Sequence, residues 1–321
     1  MALVADIGGT HARFAVVPIL HQAQPELRGV RRLRCDSYSN LDEAVRAYYK
    51  DAGLDPSSVC TATVAVAGPV GGDRFGMTNN SWSFSRSAMQ KLFGYEQFSV
   101  INDFAAVAWA IPYLRSDEYV TIGAQTADAS AAVGIIGPGS GLGVGGFVRH
   151  EGIVIPLETE GGHSAFAPTD QTELQILQIL ARRFGRVSNE RLLSGPGLTN
   201  LYRALAEIRM QPAQELSAAA ISEAAVQGTD ALCAETLQRF CAILGSVAGD
   251  LALTLGAKGG IYVAGGIVPK FIGFLQASEF RLRFEQKGRF HDYNAAIPTH
   301  VITAEHPGLL GAAVHRINAL S

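Results

Sequence analysis

Four cysteines in 321 residues, at positions 35, 60, 233 and 241, form no CxxC pair and show no metal-ligand spacing. That excludes a disulfide framework and a thiolate zinc site, and leaves reduced, mostly buried thiols. Excess basic charge is also missing. The formal net charge is −3, so there is no electrostatic case for nucleic acid or an anionic membrane as partner. No apolar run is long enough to span a bilayer. An apolar strand starting at residue 2 leaves no room for a signal peptide or a fused DNA-binding segment, so a cytoplasmic protein is expected. Low-complexity segments are absent. What remains is an ordinary globular composition, 48% hydrophobic and 17% charged, with material for two domains.

The chain is organised around residues 2–17, ALVADIGGTHARFAVV. Leu3, Val4 and Ala5 run into Asp6, then Gly8, Gly9 and Thr10, and Arg13–Val17 reads as a returning strand. Glycines without side chains let a ligand reach main-chain N–H groups, and a turn lined with such donors suits phosphate oxygens. A carboxylate at the end of a buried strand suits a magnesium ion with water retained between them. The same residues would also serve as a plain hairpin with a Gly-Gly turn.

Further along, the four arginines 28, 31, 32 and 34 read as the solvated face of a strand, after a polar loop at His21–Gln24. Asn40 with Glu43 starts a helix that Gly53 closes. Val59–Ala67 alternates as a strand and breaks at Gly68-Pro69. A short strand, Gln97–Ile101, ends in Asn102-Asp103, and Phe104–Ile111 continues as an apolar helix before Pro112. This is an α/β order. Small and polar residues over Thr121–Ser130 suggest passage into a second unit. There Ala132–Ile136 is followed by a second glycine turn, residues 137–146 (GPGSGLGVGG), and a returning Phe147-Val148, with Ser140 placed like Thr10. Asp170 starts a helix ending at Gly185, Ser194–Gly256 is mainly helical with a nearly all-apolar last part, Gly260–Ala264 is a strand landing on Gly265-Gly266, and Pro307–Ala319 closes the chain.

Both glycine turns lack the lysine of the P-loop pattern, and Gly137–Gly143 does not match the dinucleotide fingerprint. A dinucleotide oxidoreductase is therefore a distant reading. Two turns offering N–H groups, with one carboxylate for a cation, better suit a triphosphate, and Gly265-Gly266 offers bare backbone to a flat base. Asp103 follows a strand at its carboxyl end, where ligands gather in open α/β sheets, and can accept a proton from a hydroxyl nucleophile in phosphoryl transfer. Helix capping by Asn102 or Asp103 is the plain alternative. Glu160 and His163 flank Gly161-Gly162, and Glu190 lies near the expected start of a helix. Together they suit a polyhydroxylated substrate, and a metal is disfavoured because no cysteine lies near.

These residues carry a resemblance. ADIGGTHAR resembles the first phosphate segment of the sugar kinase/actin/Hsp70 superfamily, and INDF, ETEGGHSAFAP, NERLLSGPGL and VAGGIVPKF are similar to the bacterial glucokinases, in the branch without a zinc motif. The likeness runs in order from Ala5 to about Gly311. It implies a two-domain, actin-like (ribonuclease H-like) α/β fold with an interdomain cleft, the small domain being 1–112 plus 304–321 and the large one 113–303. It implies an ATP- and Mg2+-dependent kinase acting on glucose at the 6-hydroxyl, and a homodimer. By the same resemblance Ala5, Asp6, Ile7, Gly8, Gly9, Thr10, Ser140, Gly141, Gly265 and Gly266 handle ATP, with Asp6 holding magnesium through water. The sugar ligands would be Asn102, Asp103, Glu160, His163 and Glu190, with Asp103 the catalytic base. One departure is Thr159, where the resemblance leads one to expect glycine. A kinase for another hexose or an amino sugar, and a non-catalytic sugar sensor, are the competing functions; an intact Asp103 argues against the sensor.

Overall fold

The structure, a computed structural model, describes residues 1–19, 25–68, 70–77 and 81–318, so the expected loop at His21–Gln24, Pro69 and Ala319 lie outside the described residues. The chain divides into two compact units, residues 1–115 with 304–321, and residues 116–303.

The first unit is built on a five-stranded sheet. Its elements are β1 (Ala2–Ile7), β2 (His11–Val17), β3 (Arg28–Arg34), α1 (Leu41–Asp51), β4 (Thr61–Val66), β5 (Arg74–Gly76), β6 (Ser83–Ser85), α2 (Arg86–Phe93), β7 (Gln97–Asn102) and α3 (Asp103–Ala110). The sheet order is β3-β2-β1-β4-β7, with β1, β4 and β7 parallel and the β1–β2–β3 meander antiparallel. Asn40 caps α1 as expected, its side chain accepting from Glu43 N–H at 3.0 Å. β4 does not alternate as expected; all six residues are buried. The reason is that both sheet faces are covered. Leu3, Ala5, Ile7, Val64 and Val66 pack with Leu41, Val45 and Tyr48 of α1, while Ala2, Val4, Ala65 and Ile101 pack with Ala106 of α3 and with Leu309 and Ala313 of the C-terminal helix, Pro307–Asn318. That last helix presses so closely on α3 that a Cβ at Gly311 would lie 1.6 Å from the Ala106 carbonyl oxygen.

The second unit carries β8 (Tyr119–Ile122), β9 (Val133–Pro138), β10 (Leu142–His150), β11 (Ile153–Glu158), α4 (Gln171–Phe184), α5 (Gly195–Ile208), α6 (Ala218–Gln227), α7 (Ala231–Leu255), β12 (Ile261–Val263), α8 (Ile272–Ala277), α9 (Phe280–Glu285), α10 (His291–Ala295) and β13 (Thr299–Ile302), and the C-terminal helix is α11. The sheet order is β11-β10-β9-β12-β13-β8. Two sequence expectations shift here. Thr121 and Ile122, expected in a polar passage, belong to β8. In the glycine run only residues 139–141 form the turn, and Gly143, Gly145 and Gly146 lie inside β10. Bare positions there permit close packing: a Cβ at Gly146 would be 2.5 Å from the Val133 carbonyl oxygen.

Ile136, Leu142, Val144, Ile261 and Val263 face a core made with α4–α9. Against the expectation that no apolar run could span a bilayer, α7 is, among the described helices, long and apolar enough to do so, but most of it is buried within the protein. Its Gly245 and Gly249 let the backbone of α9 approach at Phe280 and Phe284. A buried charge network also ties α4 to α9. Glu173 is fully buried, with Oε1 2.9 Å from Arg283 Nη2 and 3.1 Å from Arg239 Nη1, while Oε2 accepts the Thr169 N–H at 2.8 Å.

Candidate active site

In the first unit, parallel register decides what lies together. Ile7 pairs with Val66, and Val66 with Asn102. The turn Gly8–Thr10 and Asp103 therefore leave the sheet at the same end, separated by β4, roughly 10 Å apart in the sheet plane at ~4.8 Å per strand. Gly8 N–H donates to His11 O at 3.0 Å, closing the turn. Neither Gly8 nor Gly9 has a positive φ, so what these glycines contribute is access, not a left-handed backbone. Ala5 and Ile7 are buried in the core on one sheet face, so their side chains are not open to a ligand.

Asp6 and Arg13 are register partners across the β1–β2 hairpin, and Arg13 Nη1 lies 3.1 Å from Asp6 Oδ2. Burial pushes the Asp6 carboxyl above the usual carboxylate range, against the opposing pull of Arg13 and His306. The first turn of α11 closes over it: a Cβ at Gly308 would be 2.7 Å from Asp6 Cγ. Sequence reasoning missed Arg13, His306 and Gly308, because the hairpin register and the chain's return bring them to Asp6.

At the Asn102-Asp103 step the capping question resolves onto Asn102. Its Oδ1 accepts the N–H of Phe104 and of Ala105, at 2.9 and 3.1 Å, and its Nδ2 donates to the Gly68 carbonyl at 3.1 Å. Asp103 is the first residue of α3, and its Oδ1 also accepts the Phe104 N–H at 3.0 Å.

In the second unit, β12 is parallel to β9, so Gly265-Gly266 emerges beside the turn 139–141. Gly265, at φ +85, lies against the Pro138 carbonyl, whereas nothing stands within 4 Å of a Cβ at Gly266. Ser140 is exposed at the tip of the turn. Glu160, His163 and Glu190 sit on short 3-10 turns: Gly161–His163 follows Glu160, and Asn189–Arg191 carries Glu190, so Glu190 precedes α5 instead of opening it. His163 Nδ1 is 3.9 Å from Glu190 Oε1, and Glu190 Oε2 accepts the Leu142 N–H at 3.0 Å. The unexpected Thr159 fastens this loop, its Oγ1 donating to Val144 O at 2.8 Å and accepting Gly161 N–H at 3.2 Å. Arg186, another residue that sequence reasoning passed over, donates from Nη2 to the His163 carbonyl at 2.6 Å.

Among the described residues no group of three or more His, Cys, Asp or Glu is arranged to hold a metal. Magnesium takes one or two carboxylates, its own waters and substrate phosphates. Asp6, a single carboxylate beside the Gly8–Thr10 turn, is compatible with such a donor set.

The glucokinase family profile matches residues 3–319. The chain belongs to the glucokinase family. It is 49% identical over 320 residues to a glucokinase of Aromatoleum aromaticum, covering 99% of this chain and 95% of the relative. Among solved structures it resembles a glucokinase from an Antarctic psychrotroph, at 38% identity and a TM-score of 0.87 over 99% of this chain and 98% of that one. A ROK-family glucokinase from Streptomyces griseus, solved with glucose and AMPPNP, shares the fold at 20% identity and a TM-score of 0.65, covering 97% of both chains. The expected actin-like α/β architecture is thus the family's own, and this glucokinase-family chain is a sugar kinase.

Proposed function

We propose that Asp103 removes the proton from the 6-hydroxyl of glucose as that oxygen attacks the γ-phosphorus of ATP. The reaction is ATP-dependent phosphorylation of glucose, giving glucose 6-phosphate and ADP. The observation that carries the assignment is the shared exit of the Gly8–Thr10 turn and Asp103 at one end of a single sheet. A phosphate-holding turn and a base on one rigid platform are what in-line transfer requires. Supporting it, the cap of α3 is made by Asn102, so an aspartate at 103 is not needed for that task.

In this reading the Gly8–Thr10 turn, through the N–H groups of Gly9 and Thr10, and the Ser140-Gly141 turn hold the phosphates, and Gly265-Gly266 lies by the adenosine. Asp6 would hold a magnesium ion through water, and the ion would supply charge neutralisation on the phosphates. Arg13 orients Asp6. Asn102, Glu160, His163 and Glu190 bind sugar hydroxyls, carboxylates accepting and the imidazole donating or accepting. The enzyme works as a cytoplasmic homodimer. The exposed turn that bears Glu160 and His163 is held by Thr159 and Arg186, so the sugar ligands are placed by a fixed loop.

A coupled assay of ADP release with glucose, mannose, fructose and glucosamine tests the substrate assignment. Glucose should have the highest kcat/KM. A preference for another sugar would turn the reading toward a different hexose kinase, and no turnover with glucose binding intact would turn it toward a sensor.

A further inference from the structure

Asp6, Arg13 and Arg32 stand in register across β1, β2 and β3, beside the Gly8–Thr10 turn. His11 lies on the same sheet face as Arg13, because side chains two apart along a strand share a face. It is fixed at the mouth of the turn, where its carbonyl accepts the Gly8 N–H at 3.0 Å. Arg32 reaches diagonally across the ladder to it, with Nη2 3.2 Å from His11 Nδ1. The other arginines of β3 are paired differently: Arg28 with Glu26, Arg31 with Asp51 and Arg34 with Asp36, at 2.7, 2.6 and 2.5 Å. Arg32 has an imidazole where they have a carboxylate.

That pairing decides where the imidazole carries its proton. A guanidinium group only donates, so His11 Nδ1 is the acceptor and is unprotonated. Burial lowers the His11 pKa below its ordinary 6.5, and the charges of Arg32, Arg13 and Arg34 lower it further against the pull of Asp36. The ring is therefore neutral at pH 7, and its one proton sits on Nε2. In the other tautomer Nε2 would turn a lone pair, not a donor, towards an anionic oxygen.

We propose that Arg32 is a positioning residue for nucleotide binding: it holds His11 as the Nε2–H tautomer, and that N–H donates to a phosphate oxygen of ATP on the Gly8–Thr10 turn. The inference rests on the nucleotide role of that turn given above. Read from the sequence, Arg32 belongs to a solvated strand face and His11 is only the residue after Thr10. The register of β3 on β2 is what joins them at the turn.

Steady-state kinetics with ATP or glucose varied, beside calorimetry with AMPPNP in magnesium buffer, test this on the full chain. His11→Ala should raise the ATP KM and the AMPPNP Kd about 10-fold, the worth of a hydrogen bond to a charged group, with the glucose KM nearly unchanged. Arg32→Met keeps the apolar stem but no donor, and should raise the same two quantities several-fold, whereas Arg32→Lys should restore most of the loss. The double variant should be no worse than His11→Ala, because Arg32 acts through His11. Arg31→Met is the control. Arg31 lies on the opposite face, in register with Phe14, whose ring stacks on Tyr48, and its loss should leave the ATP KM as it is. Nitrogen-15 NMR of the imidazoles should show His11 protonated at Nε2 alone in the wild type and a tautomer mixture in Arg32→Met. If His11→Ala does not fold, these spectra and the Arg32 variants decide. An unchanged ATP KM in folded His11→Ala, or equal rises for ATP and glucose, overturns the phosphate contact. Additive losses in the double variant, or a wild-type proton on Nδ1, overturn the route from Arg32 through His11. A wild-type protein that binds no AMPPNP and turns over no ATP removes the nucleotide reading, and the inference with it.

Discussion

Replacing Asp103 by asparagine separates catalysis from structure. The cost to the cap of α3 is small. The cap of α3 belongs to Asn102, which already serves Phe104 and Ala105 N–H, and an asparagine at 103 keeps a side-chain oxygen for the Phe104 N–H. What the helix loses is one negative charge in its first turn, worth about 0.3–1 kcal/mol. Thermal unfolding should therefore shift little. Glucose affinity, read by calorimetry, should stay within a few-fold of wild type, because size and hydrogen-bonding capacity are nearly kept. The rate should not survive. Loss of a general base costs ~10²–10⁴-fold, which is about 2.7–5.4 kcal/mol of transition-state stabilisation. Since the missing interaction is made in the transition state, the loss should fall on kcat with KM nearly unchanged. A coupled ADP-release assay beside the calorimetry gives both numbers. A kcat within about 3-fold of wild type would refute the base assignment. An inactive, folded variant that no longer binds glucose would make Asp103 a binding residue instead.

Three other substitutions probe different layers. Glu173→Ala leaves the buried Arg283 guanidinium without its carboxylate, and urea unfolding should show a loss of about 3–5 kcal/mol; a loss under about 1 kcal/mol would mean that water replaces the pair. His300 is buried, and burial lowers its pKa from 6.5 to about 4. The folded form thus resists protonation, so its stabilising contribution is complete above pH 6.5 and is lost as pH falls towards 4. Between pH 7 and pH 5 wild-type unfolding free energy should drop about 2 kcal/mol more than that of His300→Gln, and equal pH profiles would contradict the burial argument. Gly308→Ala pushes a methyl group against the Asp6 carboxylate, so the Mg2+-ATP requirement should rise several-fold while the protein stays folded, at a cost of about 1–3 kcal/mol, and an unchanged requirement would detach Asp6 from the nucleotide.

Local signals in the sequence were legible where one element decides them. The opening hairpin, the capped α1 and α4, the strand before Asn102 and the apolar α7 follow from period and capping residues alone. The period-of-two reading of β4 assumes one wet face, and α3 with α11 removes that face. The short helices α8–α10 are too brief to show a helical period in the sequence. The site was legible as residue types, not as partnerships. Asp6 stood out in its motif, yet Arg13 reaches it through hairpin register and Gly308 through the return of the chain after some three hundred residues.

Glycine shows why motif reading and packing must be argued together. The run from Gly137 to Gly146 looks uniform, and access for phosphate explains all of it equally well at the level of sequence. Position by position the reasons differ. Gly146 has no room for a Cβ against the Val133 carbonyl oxygen, so an added methyl group there would strain the sheet whether or not a nucleotide binds. Gly139 meets no such obstacle, since a Cβ there would find its nearest atom at 3.9 Å, and its use is the backbone it presents. Gly141 belongs to neither group, because what a Cβ would strike there is the carboxylate of Glu190. A side chain that can swing aside makes that substitution tolerable to the fold, and so its effect must be sought in binding. The bareness of Gly141 is what lets the Glu190 carboxylate reach the Leu142 N–H, so in the proposed reading one residue type at one position would serve both the phosphate turn and the sugar site.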